Sequence, residues 1–220
     1  MSATDLQNRI IDRYLDLLGK HDFEAVTLAK IAEASGIKLS ELREAFEGRI
    51  AILSAFTRRI DAQVLEEVDA SIADELPRER LMDILLSRFD ALTPHKSALQ
   101  ALMRAARADL ALAAQLNRLA LVSMTWMLNA ANVDTSGIDG AVRVQGAALV
   151  FAKVMQVWFR DDESMAKTMS ALDRELRAGE RTMRRLDRIS SIFQPLRRMR
   201  TRRRAGHSDA DEAADQGAAI

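Results

Sequence analysis

The stretch SGIKLSELREAFEGR carries lysine, arginine and glutamate side chains at a spacing that suits binding rather than catalysis. On a helix, Ser40, Glu44 and Glu47 lie on one side, since successive residues are about 100° apart. Glu41 and Arg43 flank them. Arginine binds phosphate and guanine, and glutamate accepts a hydrogen bond from cytosine in the major groove of DNA. The stretch therefore predicts a nucleic-acid surface, although its carboxylates repel phosphate groups.

No pattern of catalytic residues accompanies this stretch. The three histidines, at His21, His95 and His207, are scattered and lack a second ligand at metal-binding spacing. Asp161, Asp162 and Glu163 form a carboxylate cluster, which at the start of a helix is typical of capping. The sequence has no nucleophile elbow, phosphate-binding glycine loop or dinucleotide motif. We therefore expect no enzyme, no cofactor and no bound metal.

The composition is typical of a soluble, mostly helical protein. The 220 residues are 48% hydrophobic and include only three prolines and nine glycines, a composition that favours helix. No apolar run reaches the roughly 18 residues of a membrane-spanning helix, and the N-terminus lacks the apolar core of a signal peptide. Cysteine is absent, which fits a reducing compartment. We expect a cytoplasmic location.

Three helices are predicted near the N-terminus. Apolar residues recur at helical spacing over residues 4–20, and shorter helices are predicted over 28–34 and 38–46. Thr27 is the predicted N-cap of the second helix, and Gly36 is the glycine that follows its end. The residues predicted to point inward from the two short helices are Leu28, Ile31, Ala32, Leu39, Leu42, Ala45 and Phe46. Two short amphipathic helices joined by a three-residue turn predict a helix-turn-helix.

Longer helices follow, and the whole pattern predicts an all-α protein. Their predicted bounds are 50–72, 78–92, 96–109, 110–131, 139–160 and 163–190. The predicted organisation is a helix-turn-helix domain at 1–55, a helical bundle for ligand binding and dimerisation at 56–190, an Arg-rich segment at 191–204 and a disordered acidic tail at 205–220.

Large and adaptable apolar side chains recur on the predicted helices of the second domain. They include Met103, Met124, Met127, Phe151, Met155 and Trp158. Methionine fills irregular space and deforms easily, so this set predicts a pocket for a small apolar ligand. An ordinary core or a helix-bundle dimer interface would use the same residue types, and the pattern alone leaves these alternatives open.

The formal net charge of zero hides a separation of charge along the chain. Residues 181–204 hold ten arginines against one aspartate, and residues 205–220 hold four acidic residues and no basic one. The arginines accompany an apolar stripe, a pattern that suits peripheral contact with an anionic membrane. A basic arm on nucleic acid, or a last helix followed by a solvated tail, would show the same pattern, so three interpretations stay open.

The N-terminal motifs, in their order and spacing, resemble the TetR family of bacterial transcriptional regulators over roughly residues 5–55. The matching positions are Thr27, Ile31, Ala32, Gly36, Leu42, Phe46, Ala51 and Leu53. The resemblance implies a TetR-like fold, a homodimer on a palindromic DNA operator and a response to a small apolar ligand. It also implies DNA contacts from Thr27, Lys38, Ser40, Glu41, Arg43, Glu44 and Arg49. Glutamates here occupy positions where the family has neutral groups.

A second stretch, AVRVQGAALVFAKVMQVWFRDDESMAKTMSALDREL, is similar to the Coq-nine accessory proteins of ubiquinone biosynthesis. Those proteins have a TetR-like fold and bind lipids. The matching positions are Arg143, Gly146, Trp158, Asp161 or Asp162, Ser164, Thr168, Leu172, Asp173, Arg174 and Leu176. This resemblance implies an alternative function, a lipid- or quinone-binding accessory protein without DNA binding.

Overall fold

The computed structural model of the chain describes residues 3–68 and 75–182, and within these ranges it contains helices and no strand. The helices are α1 (Ala3–Lys20), α2 (Leu28–Ala34), α3 (Leu39–Ala45), α4 (Arg49–Glu66), α5 (Pro77–Leu92), α6 (Lys96–Ala108), α7 (Leu110–Ala130), α8 (Gly137–Trp158) and α9 (166–182). Short 3₁₀ turns, Phe23–Ala25 and Thr93–His95, precede α2 and α6. The all-α prediction is confirmed.

Two units follow from the internal contacts of the chain, Met1–Leu176 and Arg177–Ile220. The predicted domain boundary at residue 55 stays a prediction. The Arg-rich segment at 191–204 and the acidic tail at 205–220 lie outside the described residues, and so does the membrane contact predicted for the Arg-rich segment. Within the described ranges, no helix is long and apolar enough to cross a membrane.

The helix-turn-helix forms around the apolar face of α1. Its apolar residues recur every three or four positions, which gathers them on one side of the helix. Ile10, Tyr14 and Leu18 are buried there. Phe23 and Val26, from the turn after α1, are also buried. The side chains that close the N-terminal core therefore come from both the helix and the turn.

The turn between α2 and α3 is set by local backbone contacts. Thr27 is the N-cap of α2, where its hydroxyl oxygen accepts a hydrogen bond from the backbone N–H of Lys30 at 3.3 Å. At the other end, Gly36 has a φ of 65°, which glycine adopts without steric cost. The N–H of Ile37 then donates to the carbonyl of Ala32 at 3.1 Å. Both predicted end signals of α2 are confirmed.

The core between α5 and α8 is aromatic. The rings of Phe89 and Phe151 stack with centroids 4.6 Å apart. The ring of Trp158 lies 5.4 Å from Phe89, and the Lys96 ammonium sits 5.1 Å from the Trp158 centroid. Aromatic pairs of this kind stabilise a core beyond the area they bury. Because α4 packs on both α5 and α7, this core is joined to the helix that follows the helix-turn-helix.

Two helix bounds differ from the prediction. α4 ends at Glu66 rather than at residue 72. The carboxylates of Glu66 and Glu67 are unfavourable there, because they lie at the negative end of the helix dipole. The Glu67 carboxylate accepts a hydrogen bond from the hydroxyl of Ser87. α9 begins at residue 166 rather than at 163. The Asp161 carboxylate accepts hydrogen bonds from both the N–H and the hydroxyl of Thr168. It therefore supplies, from outside the helix, an acceptor for a backbone N–H in the first turn of α9.

Candidate nucleic-acid interface and apolar cavity

The solvent-facing side of α3 and the residues just after it form the most distinctive surface of the N-terminal helices. Its exposed residues are Leu39, Ser40, Arg43, Glu44 and Glu47, and we call them the α3 face. The four that lie on α3 itself, Leu39, Ser40, Arg43 and Glu44, span a continuous arc of roughly 140° at about 100° per residue, and Glu47 follows the end of the helix. Leu42 and Phe46, on the other side, are buried. Packing against α2 therefore helps to fix which side chains of α3 are free to meet a partner.

The inward prediction was wrong for two leucines. Leu39 is 54% exposed and Leu28 is 39% exposed. Each is the first residue of its short helix, and at that point the core that covers Leu42 and Ile31 does not extend over the first turn. Leu39 therefore belongs to the α3 face, where sequence reasoning had not placed it. The exposure of Leu39, between Lys38 and Ser40, is a property of the structure, and it is what places this residue on the α3 face.

Glu41 has a structural role at the start of α3. Its carboxylate accepts a hydrogen bond from the backbone N–H of Lys38 at 2.8 Å. This is the reach-back contact of a helix start, and a carboxylate there also matches the positive end of the helix dipole. Glu41 is thus engaged with its own helix, which leaves Glu44 and Glu47 as the carboxylates of the α3 face.

Arg49 also contacts the protein itself. Its Nη1 donates to the backbone carbonyl of Phe23 at 2.7 Å and to that of Val26 at 3.3 Å. The guanidinium carbon lies 4.0 Å from the centroid of the Phe23 ring. The sequence interpretation assigned Arg49 to DNA, but the structure places it half-buried between α4 and the turn after α1. Arg49 therefore fastens the start of α4 to the helix-turn-helix.

The remaining predicted DNA-binding residues are accessible to a partner. Thr27, Lys38, Ser40, Arg43 and Glu44 are all exposed. The Thr27 oxygen accepts a hydrogen bond from the backbone of α2, so its own hydrogen can still be donated to an outside acceptor. Thr27 stands at the start of α2, and Lys38 at the start of α3.

A cavity of about 350 Å³ lies among α4, α5, α6, α7 and α8, which is at the small end of the range for ligand pockets. Its walls are mostly apolar, and α4 supplies Leu53, Phe56 and Thr57. Three residues of the predicted pocket line it: Met103, Phe151 and Met155.

The other three residues of the predicted pocket lie outside the lining of this cavity. Met124, Met127 and Trp158 do not line the cavity; they are almost wholly buried in the core beside it. Residue type alone does not separate the two environments, since a methionine or tryptophan fills a core as readily as it lines a pocket. Trp158 is nevertheless close to the cavity wall, because Phe89 contacts both Trp158 and the lining residue Phe151.

One residue of the cavity wall is a buried cation. Arg88 forms an ion pair with Asp61, and the Ser123 hydroxyl donates to the same carboxylate at 2.7 Å. Burial lowers the pKa of the Arg88 guanidinium, and the Asp61 carboxylate opposes that shift. The three residues lie on α5, α4 and α7. Sequence reasoning missed them, because nothing near each residue in the chain marks it as buried.

Apolar side chains are exposed along α7 and α8, which pack against each other. On α7 they are Val122 and Trp126, besides Leu110 at the start of the helix, and on α8 they are Ile138, Val142 and Leu149. Apart from Leu110, their spacing, four residues in α7 and four and seven in α8, places them in one row on each helix. We call these two rows the α7–α8 face. Trp126 is 57% exposed, which is unusual for a tryptophan without a partner.

Similar architectures occur among solved structures. A TetR transcriptional regulator from Nitrosomonas europaea is 20% identical with a TM-score of 0.62, and the alignment covers 78% of this chain and 96% of that one. A TetR regulator from Rhodococcus sp. RHA1 is 16% identical with a TM-score of 0.55, covering 80% and 97% of the two chains. The chain has a TetR-like fold.

A third structure with this fold is a TetR-family regulator from Streptomyces coelicolor, 18% identical with a TM-score of 0.52, where the alignment covers 80% of this chain and 79% of that one. No family model and no curated protein matches the sequence. The resemblance to the Coq-nine proteins stays a prediction. Among the described residues, no group of three histidine or carboxylate side chains is placed to hold a metal ion.

Proposed function

We propose that this protein is a DNA-binding transcriptional regulator. The observation that carries the proposal is the exposed α3 face, presented by a helix-turn-helix within a TetR-like fold. Thr27, Lys38 and Arg43 would bind phosphates or guanine, because they are exposed donors at the starts of α2 and α3 and on the α3 face. Ser40 and Glu44 would contact base edges. Leu39 adds an apolar group suited to the methyl group of thymine.

The proposed regulator is a homodimer, joined through the α7–α8 face. Two copies of a helix pair with apolar outer rows bury those rows when they form a four-helix bundle. Self-association through the same surface on each copy generates a two-fold axis. A two-fold axis in turn places two α3 faces on the two halves of a palindromic operator.

The apolar cavity is the proposed site of a small apolar effector. α4 supplies part of the cavity wall, and its first residue, Arg49, holds the turn that precedes α2. A ligand that fits the cavity in only one position of α4 would favour that position. It would therefore change DNA affinity by shifting the population of conformations.

Selection from random DNA tests the regulator function. We expect the wild-type protein to enrich a palindrome and to release it steeply as salt rises. Arg43→Ala should weaken that binding by about 5- to 150-fold, because a good base contact contributes roughly 1–3 kcal/mol. Arg13→Ala is the matched control, an exposed arginine on α1. If the selected DNA shows no enriched sequence at low salt, sequence-specific DNA binding is refuted.

Glu44 offers a second test of the same surface. Glu44→Gln should tighten binding to non-specific DNA, because it removes a negative charge from a face that approaches phosphates while preserving side-chain shape. The control is Glu163→Gln, an exposed glutamate after α8. Equal affinities for the wild type and Glu44→Gln would mean that the α3 face does not approach the DNA backbone.

Sedimentation tests the dimer. Val122→Glu places a charge in the α7–α8 face and should yield a monomer with weakened operator binding, since burying an unpaired charge is costly. Leu76→Glu is the control, because Leu76 is similarly exposed but precedes α5. A wild-type monomer at micromolar concentration would contradict the proposed dimer.

An effector screen tests the ligand response, with operator release as the readout. Binding of ubiquinone-like lipids with no effect on any DNA complex would instead favour an accessory protein.

A further inference from the structure

The cavity contains a polar group that the proposed function leaves unused. Arg88 lines the cavity and is 5% exposed. Its Nη1 donates to the Asp61 carboxylate, which also accepts the Ser123 hydroxyl. Asp61 and Ser123 are buried as well. The arginine is thus electrically balanced and held from three helices before any ligand arrives.

The Nε–H of Arg88 is buried and has no acceptor among the described residues. A guanidinium keeps its protons in proteins, so this donor cannot be removed by titration. A buried donor without an acceptor is costly. The polar neighbour on α4, Thr57, already donates its hydroxyl hydrogen to the carbonyl of Leu53 at 3.0 Å. Arg88 therefore brings a buried, unpaired N–H to a mostly apolar cavity lining. The exposed side chains of Arg107 and Asn117 also line the cavity, where they contact Gln156 and Gln145.

We propose that the effector is an apolar molecule with a neutral carbonyl oxygen, and that this oxygen accepts a hydrogen bond from Arg88 Nε. The apolar body would lie against Leu102, Met103, Phe151 and Met155, which line the same cavity. The inference rests on the proposed function, because it takes the cavity as the effector site.

The charge balance of the site selects a neutral acceptor over a carboxylate. Asp61 already matches the charge of Arg88, so a carboxylate bound at Arg88, rather than at the exposed Arg107 of the same lining, would leave one net negative charge beside Asp61. An unbalanced buried charge costs far more than a buried carbonyl that receives a hydrogen bond. A pure hydrocarbon would fill the space but leave the Nε–H unpaired. A ketone, ester or lactone satisfies both conditions.

The test compares two probes of equal chain length, 2-decanone and decanoate, by calorimetry at neutral pH. We expect 2-decanone to bind the wild-type protein at least tenfold more tightly. The double variant Asp61→Leu/Arg88→Met removes the ion pair but keeps the volume, and should lose about tenfold in affinity for 2-decanone. Arg88→Lys keeps the charge beside Asp61 without the Nε–H, and should show a similar loss.

Three results would overturn the proposal: tighter binding of decanoate, no binding of either probe, or unchanged ketone affinity in both variants. Thermal unfolding confirms that each variant is folded, and if neither folds, the wild-type comparison between the two probes decides. Binding to the selected DNA is measured on the same samples. A protein that prefers the ketone but binds no DNA refutes the regulator function alone. A protein that binds DNA but prefers decanoate refutes this inference alone.

Discussion

Replacing Arg49 with methionine separates a structural role from a DNA contact. The bond from Arg49 to the carbonyl of Phe23 is 2.7 Å long, and a hydrogen bond from a charged group contributes about 1.5–3 kcal/mol. The longer contact to Val26 and the cation–π contact with Phe23 together add about 0.5–1 kcal/mol. We therefore expect Arg49→Met to cost about 2–4 kcal/mol of stability. In a chain of this size, that lowers Tm by about 4–16 °C.

Thermal unfolding followed by circular dichroism measures the effect. Arg58→Met is the matched control, because Arg58 is an exposed arginine on the same helix, and its Tm should stay close to that of the wild type. Arg49→Lys keeps the charge but not the planar fork, so an intermediate Tm is expected. The reasoning is refuted if Arg49→Met keeps the wild-type Tm and instead lowers the salt dependence of DNA binding by about one counterion, the signature of a lost phosphate contact.

Three further predictions concern stability, each measured by urea unfolding. Burial and the nearby Arg59 charge lower the pKa of His95. The neutral form therefore stabilises the fold above about pH 6.5, and that stability is lost as pH falls below it. His95→Gln should reduce this loss, and the same pH dependence in the variant and the wild type would contradict the prediction. Asp61→Asn leaves the Arg88 charge buried without its partner and should cost about 3–5 kcal/mol; a cost below about 1 kcal/mol would mean that water reaches the site. Gly140→Ala forces a Cβ into the backbone of Thr135 in the preceding turn and should cost about 1–3 kcal/mol of stability. Gly146→Ala, in open space on the same helix, should stabilise the protein by about 0.5–1 kcal/mol. A change in stability of the same sign for both variants would contradict the close approach of Gly140 to that turn.

The helices and the helix-turn-helix were predictable because their signals are local. The apolar period of α1 depends on residues three or four positions apart, and the hydroxyl of Thr27 meets an N–H three residues away. Gly36 marks the turn for the same reason, since the required φ is a property of one residue. The TetR-like fold was implied by the family resemblance that these motifs carry in their order and spacing.

The packing of the helices determines which side chains form the α3 face and which polar groups meet inside the protein. Leu39 fits the inward period of α3 but is exposed, because the core ends before it. Arg49 turns toward carbonyls 23 and 26 residues earlier in the chain, and Asp61 meets groups 27 and 62 residues later. Periodicity reports which side of a helix is apolar. It carries no information on which distant carbonyl or carboxylate that side will meet, because the meeting exists only after the helices have packed.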